Sequence, residues 1–197
     1  MRSFGWKREE QGSGNRPIQA HRGPMLRAMG DDLADRLIAA SELHGEFVLS
    51  SGKRSNVYFD KFRFLTDPPL LKEVASAVAG LLPKGITHLA APEGAATLLV
   101  AAVALQTHLP VAVVRKEPKA YGTMSQVEGH APEGAQVALI EDVSTTGHQV
   151  LRAAQALEAQ GCQLGIIVLA IDRGGAEHLE GAGYWVKSVV RVRPAED

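Results

Sequence analysis

The fold of this chain is constrained most by an alternation of short apolar runs and helical stripes that extends from residue 86 to residue 192. Segments whose apolar residues recur at helical spacing separate most of the runs. Strands that are buried on both faces of a parallel sheet have continuous apolar sequences. The pattern therefore predicts an α/β fold, with a doubly wound, mainly parallel central sheet and flanking helices. The predicted strands lie at residues 86–90, 111–114, 137–140, 165–171 and 185–192.

Upstream of this alternation, helical and strand signals follow one another. A helical stripe is formed by Leu33, Leu37, Ile38 and Leu43. Residues 47–49 and 57–59 are typical of short strands. Asp67 is followed by two prolines, which predicts the start of a helix, because aspartate caps free N–H groups and proline is tolerated in the first turn.

Composition predicts one ordinary domain. The chain has 197 residues, of which 45% are hydrophobic and 22% are charged, with a net charge of -1. It has neither the basic excess of a nucleic-acid-binding protein nor an apolar stretch of membrane-spanning length. The single cysteine, Cys162, has no partner for an intrachain disulfide and no metal-ligand cluster around it. We expect a cytoplasmic protein that binds neither nucleic acid nor membrane.

The first 24 residues differ in composition from the rest of the chain, since Phe4, Trp6 and Ile18 are nearly their only large apolar residues. A segment of this kind cannot bury enough apolar surface to fold. It also has no apolar core of the kind that a secretory signal carries. We predict a disordered amino-terminal tail over residues 1–24 and a single domain over residues 25–197.

Residues 137–149 join an apolar run to two carboxylates and a hydroxyl-rich turn, Val-Ala-Leu-Ile-Glu-Asp-Val-Ser-Thr-Thr-Gly-His-Gln. A helical stripe begins at Gln149, so the turn lies between a strand and a helix. Ligands of open parallel sheets bind outside the carboxyl ends of strands, and a helix amino terminus offers free N–H groups to anions. The hydroxyl groups of residues 144–146 add donors, and Gly147 lets the backbone approach an oxyanion. The motif predicts a phosphate cradle.

Two adjacent carboxylates, Glu141 and Asp142, precede this cradle. They would repel a bare phosphate, but they suit the hydroxyl groups of a sugar or the water shell of Mg²⁺. The predicted ligand is a phosphosugar with a metal ion. The alternative is a helix cap without a ligand, because Ser, Thr and Gly satisfy the N–H groups of many helices.

The segment from Arg115 to Gln136 lacks a convincing helical stripe and begins with three cations, Arg115, Lys116 and Lys119. Long loops in compact domains are often lids or binding loops. A cationic lid would neutralise charge on a leaving group and exclude water. The alternative is a solvated surface loop.

The heptapeptide Glu-Asp-Val-Ser-Thr-Thr-Gly resembles the phosphoribosyl pyrophosphate (PRPP) motif of type I phosphoribosyltransferases. A wider resemblance, to the orotate phosphoribosyltransferase family, begins at about Gly45. Residues 45–60 are similar to its amino-terminal segment, residues 115–123 to its lid, and residues 171–174, Ile-Asp-Arg-Gly, to its base-binding element. Residues 90–97 lie where the family has its pyrophosphate loop. The resemblance implies the type I phosphoribosyltransferase fold with a small amino-terminal hood.

The resemblance also implies the activity: displacement of pyrophosphate from PRPP by orotate, in a homodimer with shared active sites. Catalysis is assigned to Lys119 and Asp142, and orotate binding to Thr145 and Arg173. Mg²⁺ is expected to be held through PRPP and water, without direct protein ligands. The implied PRPP-binding residues are Arg115, Lys116, Lys119, Tyr121, Glu141, Asp142, Val143, Ser144, Thr145, Thr146, Gly147, His148 and Gln149.

Several positions depart from the family pattern, among them Ser50, the glycine-poor segment 90–97 and three residues of the lid and the cradle. Tyr121 lies where the lid usually has histidine, Ser144 replaces an apolar residue, and Gln149 replaces a small hydroxyl residue. Two alternatives therefore stay open: a phosphoribosyltransferase for another nucleobase, and a PRPP-sensing regulator without turnover. Arg173 argues against the first, since a guanidinium suits the carboxylate of orotate.

Overall fold

The computed structural model of the chain describes residues 20–21, 31–48, 52, 54–118 and 125–192. Its strands are β1 (Ala20–His21), β2 (Glu42–Val48), β3 (Arg54–Phe59), β4 (His88–Pro92), β5 (Val111–Val114), β6 (Val127–Gly129), β7 (Gln136–Ser144), β8 (Gln163–Asp172) and β9 (Val186–Val192). Its helices are α1 (Asp31–Ser41), α2 (Phe62–Leu65), α3 (Pro68–Leu81), α4 (Ala96–Thr107), α5 (His148–Ala159) and α6 (Gly175–Gly181).

A seven-stranded sheet forms the centre of the molecule, in the order β1-β9-β8-β7-β4-β5-β6. The five strands from β9 to β5 in this order are parallel to their neighbours. The two edge strands are antiparallel: β6 to β5 and β1 to β9. The predicted mainly parallel α/β sheet is confirmed, with an antiparallel strand at each edge.

Helices cover both faces of this sheet, which explains the continuous apolar runs. Along β7, Ala138 and Ile140 pack into one core with helices α1 to α4. Val137 and Leu139 pack into the opposite core with α5 and α6. Because successive side chains of a strand point to opposite faces, a strand between two cores must be apolar at every position. The predicted doubly wound arrangement is therefore confirmed.

Strands β2 and β3 form a separate antiparallel hairpin, which corresponds to the predicted amino-terminal hood. The predicted helical stripe, which included Leu43, is longer than the helix in the structure. Helix α1 ends at Ser41, and Leu43 lies in β2, opposite Tyr58. Backbone pairing with β3 begins at Glu42 and overrides the helical spacing of Leu43. The backbone N–H of Asp60 donates to the carbonyl of Ser41 at 2.8 Å, which closes the hairpin at its base.

The predicted loop from Arg115 to Gln136 contains strand β6, so the expectation of an irregular segment was wrong at Val127–Gly129. A strand of three residues is too short to produce a periodic pattern. Gly129 has a φ of 86°, and a Cβ there would lie 2.6 Å from the carbonyl oxygen of Val111, so the close pairing with β5 requires glycine. Residues 119–124 lie outside the described part of the chain.

Two residues of the predicted tail, Ala20 and His21, form strand β1 and pair with Val192 and Arg191. These two residues extend the sheet beyond β9. The other residues of the tail lie outside the described ranges. None of the described helices combines the length and the apolar character that a bilayer crossing requires.

Candidate active site

The candidate site lies at the edge of the sheet where β4, β5, β7 and β8 end. These strands are parallel neighbours, so their carboxyl ends meet at one edge. Arg115 and Lys116 follow β5, the acidic pair and the cradle end β7, and Arg173 follows β8. The structure thus brings the described members of the predicted site together. Lys119 and Tyr121 lie outside the described residues.

The acidic pair is buried at the end of β7, which runs to Ser144, beyond the apolar run that predicted it. Asp142 is fully buried, and its Oδ1 accepts the backbone N–H of Val143 at 2.7 Å. Oε1 of Glu141, which is also buried, accepts the backbone N–H of Asp142 at 3.1 Å. Burial, followed by the hydrogen bond and negative charge of Asp142, raises the pKa of Glu141 well above its usual value. Two adjacent buried carboxylates are costly, which is typical of a functional site.

A cation that sequence reasoning missed lies beside this pair. The Nζ atom of Lys61 is 3.2 Å from Oδ1 of Asp142, to which it donates a hydrogen bond, and 3.1 Å from Oδ2. Oδ2 lies within ion-pair distance but makes no hydrogen bond among the described residues. Lys61 is 81 positions away from Asp142 in sequence, so no local pattern could identify this pair.

The turn after β7 has the shape of an open cradle. Thr145 and Thr146 are exposed, and α5 begins at His148 with Gly147 as its N-cap residue. Gly147 has a φ of 76°, and a Cβ there would lie 2.7 Å from the carbonyl oxygen of Gly175. Because glycine has no side chain, the N-cap position supplies no oxygen to the first N–H groups of α5. The alternative of a simple Ser/Thr helix cap is not supported, and these groups are available to an anion.

Arg173 follows β8, beside the cradle, and its side chain faces the hood. Its backbone N–H donates to the carbonyl of Ser144 at 2.8 Å, and its guanidinium carbon lies 5.0 Å from the ring centroid of Phe59 on β3. Burial lowers the pKa of Arg173, and the negative charge of Glu42 partly opposes this effect. A guanidinium group nevertheless stays protonated at neutral pH. The site therefore holds a cation against an aromatic ring, a geometry that suits a planar anion.

Asp172, the residue before Arg173, shapes the turn through contacts within the protein. Its Oδ1 accepts the backbone N–H groups of Gly174 at 2.9 Å and Ala176 at 3.1 Å. Its Oδ2 lies 2.8 Å from Nε of Arg191 on β9. These contacts satisfy a carboxylate that is only 2% exposed. They fix the backbone from which Arg173 projects.

The start of the predicted lid is attached to the loop after β4. The backbone N–H of Lys116 donates to Oε1 of Glu93 at 3.0 Å, and the amide of Gln126 donates to the carbonyl of Arg115 at 3.0 Å. Nε of Arg115 is buried and has no hydrogen-bond partner among the described residues. Arg115 and Lys116 line a small cavity together with Gln149, which connects the lid to the first turn of α5. The structure therefore supports the joint placement of these three predicted residues.

Comparison with known proteins gives concordant matches. The family model "Phosphoribosyl transferase domain" matches residues 63–194. The orotate phosphoribosyltransferase of Thermococcus gammatolerans is 42% identical over 168 residues, which cover 82% of this chain and 89% of the relative. That of Thermococcus kodakarensis is 46% identical over 154 residues, or 76% of this chain and 83% of the relative. A solved orotate phosphoribosyltransferase from Aeropyrum pernix superposes with a TM-score of 0.69 at 32% identity, over 82% of this chain and 92% of that one.

Proposed function

Because the chain belongs to the phosphoribosyl transferase domain family, and within it to the orotate phosphoribosyltransferases, we propose that it transfers the phosphoribosyl group of PRPP to orotate. The products are orotidine 5'-monophosphate and pyrophosphate, and the pathway is pyrimidine biosynthesis. One observation carries the choice of orotate: Arg173 projects from beside the phosphate cradle and lies 5.0 Å from the Phe59 ring. A carboxylated planar base in this place would meet both the charge of Arg173 and the ring of Phe59.

Each part of the site has one task in this proposal. The N–H groups of residues 144–149 and the exposed hydroxyls of Thr145 and Thr146 bind the 5'-phosphate, with Thr145 close to the base, whereas the hydroxyl of Ser144 is buried against Gly175. Glu141 and Asp142 bind the ribose hydroxyl groups, and Arg173 binds the orotate carboxylate. The lid cations and Tyr121 bind pyrophosphate. The burial of the acidic pair and the uncapped start of α5 support the first two assignments.

In the reaction, the bond between C1 of the ribose and the pyrophosphate oxygen breaks, a bond from N1 of orotate to C1 forms, and the proton of N1 leaves with the pyrophosphate. Positive charge develops on the sugar ring while negative charge grows on the leaving oxygen. The protein acts by holding both reactants in line and by placing Arg115, Lys116 and Lys119 near the leaving group. No covalent intermediate with the protein is required.

We propose that Mg²⁺ accompanies PRPP and is held through PRPP oxygens and water, without direct protein ligands. Both carboxylate oxygens of Asp142 lie within 3.2 Å of the Lys61 ammonium group, which disfavours a second cation bound directly to them. The acidic pair still fits the water shell of such an ion, since carboxylate oxygens accept hydrogen bonds from water. When bound, Mg²⁺ would neutralise part of the pyrophosphate charge.

We propose that the functional unit is a homodimer with shared sites, in which Lys119 reaches the neighbouring subunit. Helix α4 has no charged residue, and Leu98 and Leu105 on it are 41% and 80% exposed. An uncharged helix with exposed leucines is typical of a surface that another protein covers. A second copy is the proposed occupant, because a Lys119 that reaches a neighbouring site would need one.

A cytoplasmic location is proposed as well. It is supported by Cys162, a buried free thiol without a disulfide partner, since a reducing compartment keeps such a thiol intact. The substrates are small molecules, and no nucleic-acid or membrane partner is proposed.

The test is a spectroscopic assay in which purified protein, PRPP, Mg²⁺ and orotate are mixed and the loss of orotate absorbance is followed. Parallel reactions contain adenine, hypoxanthine, uracil or xanthine. We expect orotate alone to be consumed. Consumption of another base in place of orotate would identify a different transferase, and PRPP binding without consumption of any base would favour the PRPP-sensing regulator.

A further inference from the structure

Lys61 joins the hood to the acidic pair, and neither the motifs nor the proposed roles account for it. It is the N-cap residue of α2, directly after the hood hairpin. Its ammonium group lies 3.2 Å and 3.1 Å from the two carboxylate oxygens of Asp142. The side chain of Asp142 is fully buried, whereas that of Lys61 is 39% exposed. The cation therefore lies on the solvent side of the carboxylate, where a ligand would arrive.

The backbone of Lys61 is fixed on both sides, unlike that of a typical surface lysine. Before it, the N–H of Asp60 donates to Ser41, and Oδ1 of Asp60 accepts the N–H of Phe62 at 3.1 Å. After it, Phe64 and Leu65 are buried in the core at 0% and 1% exposure. Because the backbone is already anchored, ordering this lysine costs the rotamer entropy of its side chain without a further backbone cost.

The other charged groups near β7 leave Lys61 as the counter-ion of the pair. Helix α4, which packs on β7, has no charged residue, and β4 has only His88 at its far end. On β8, Asp172 is paired with Arg191. On α5, Arg152 lines the cavity beside Arg115. Among the residues that the structure describes, Asp142 and Lys61 are the charged groups whose fields act on Glu141.

We propose that Lys61 is a positioning residue for PRPP binding: its ammonium group holds the Asp142 carboxylate in place to accept the ribose hydroxyl groups and offsets its charge as the polyanion enters. This rests on the proposed function, in which the acidic pair binds ribose. Without the cation, a buried carboxylate would lose its ion pair and would face the negative charge of PRPP alone. Lys61 acts through Asp142 and does not touch the bond that breaks.

The test compares Lys61→Met, which keeps the length of the side chain without its charge, with Lys61→Arg and the exposed control Lys84→Met. We expect Lys61→Met to raise the KM for PRPP about tenfold and to leave the KM for orotate unchanged. Lys61→Arg should restore most of the PRPP affinity, and Lys84→Met should match wild type. A wild-type KM for PRPP in Lys61→Met would overturn the proposal.

A double-mutant cycle separates positioning from a general structural effect. PRPP dissociation constants are measured by calorimetry for wild type, Lys61→Met, Asp142→Asn and the double variant. If Lys61 acts through Asp142, its replacement should have almost no effect in the Asp142→Asn background. Additive losses, or a loss explained by unfolding in a thermal melt, would reject the proposal. Calorimetry needs no turnover, so failure of orotate consumption in wild type would refute the proposed function separately, and absence of PRPP binding in wild type would refute both.

Discussion

Replacing Arg173 with alanine should weaken the binding of orotate and leave the binding of PRPP nearly unchanged. The guanidinium is half-buried, and its carbon lies 5.0 Å from the Phe59 ring centroid, so it already packs against the hood before the base arrives. A charge-assisted hydrogen bond contributes roughly 1.5–3 kcal/mol, which corresponds to an increase of about 10- to 100-fold in the KM for orotate. The cradle is built from the end of β7 and the start of α5, and Arg173 contributes only its backbone N–H to it.

The assay measures initial rates over a series of orotate concentrations at saturating PRPP, and then over a series of PRPP concentrations at saturating orotate. Arg173→Lys keeps the charge but loses the planar fork, so its KM for orotate should lie between those of wild type and Arg173→Ala. Arg36→Ala serves as the matched control, because it removes a guanidinium that pairs with Asp32 and Glu73 on the surface. A wild-type KM for orotate in Arg173→Ala, or an equal loss of PRPP affinity, would show that Arg173 does not recognise the base.

Three further changes test the cradle, the acidic pair and the dimer. Gly147→Ala should lower the melting temperature and weaken PRPP binding, because its Cβ would lie 2.7 Å from the carbonyl oxygen of Gly175 at a φ of 76°; such strain costs about 1–3 kcal/mol. Glu141→Gln should raise the melting temperature at neutral pH while reducing PRPP affinity. Because the pKa of Glu141 is raised in the folded chain, the wild-type protein loses stability as pH rises from 4.5, the usual pKa of glutamate, through the folded pKa. The stability that Glu141→Gln gains over wild type should therefore shrink as pH falls toward 4.5. Leu105→Glu should shift the mass measured by light scattering from dimer to monomer, and an unchanged dimer would exclude α4 from the interface.

The fold was predictable where burial is the same for every residue of an element. Strand β7 lies between two cores, so every residue from Val137 to Ile140 is buried, and the sequence is apolar at each of these positions. The hood was less predictable, because its strands are only half-covered and Leu43 fits a helix face as well as a strand. Strand β6 left no pattern, since three residues show no periodicity.

The site was predictable where its residues are contiguous. The acidic pair and the cradle lie at the end of β7, and Arg173 follows β8, so the strand prediction also located them at one edge of the sheet. Lys61 and Phe59 could not be placed in this way, because they come from the end of the hood hairpin and reach Asp142 and Arg173 only through the tertiary fold. Sequence spacing has no information on contacts of this range.

The same long-range contacts resolve an apparent conflict in the site, which places two carboxylates where a polyanion is proposed to bind. Burial and the proximity of Asp142 raise the pKa of Glu141, so that the pair holds a proton more readily than two separate carboxylates would. Lys61 offsets the charge that remains on Asp142. The entering PRPP thus meets less negative charge than two free carboxylates would present, which lowers the repulsion between the phosphates and the pair that is proposed to bind ribose. Loss of Lys61 should therefore harm PRPP binding more at low ionic strength than at high, because salt screens the uncompensated charge.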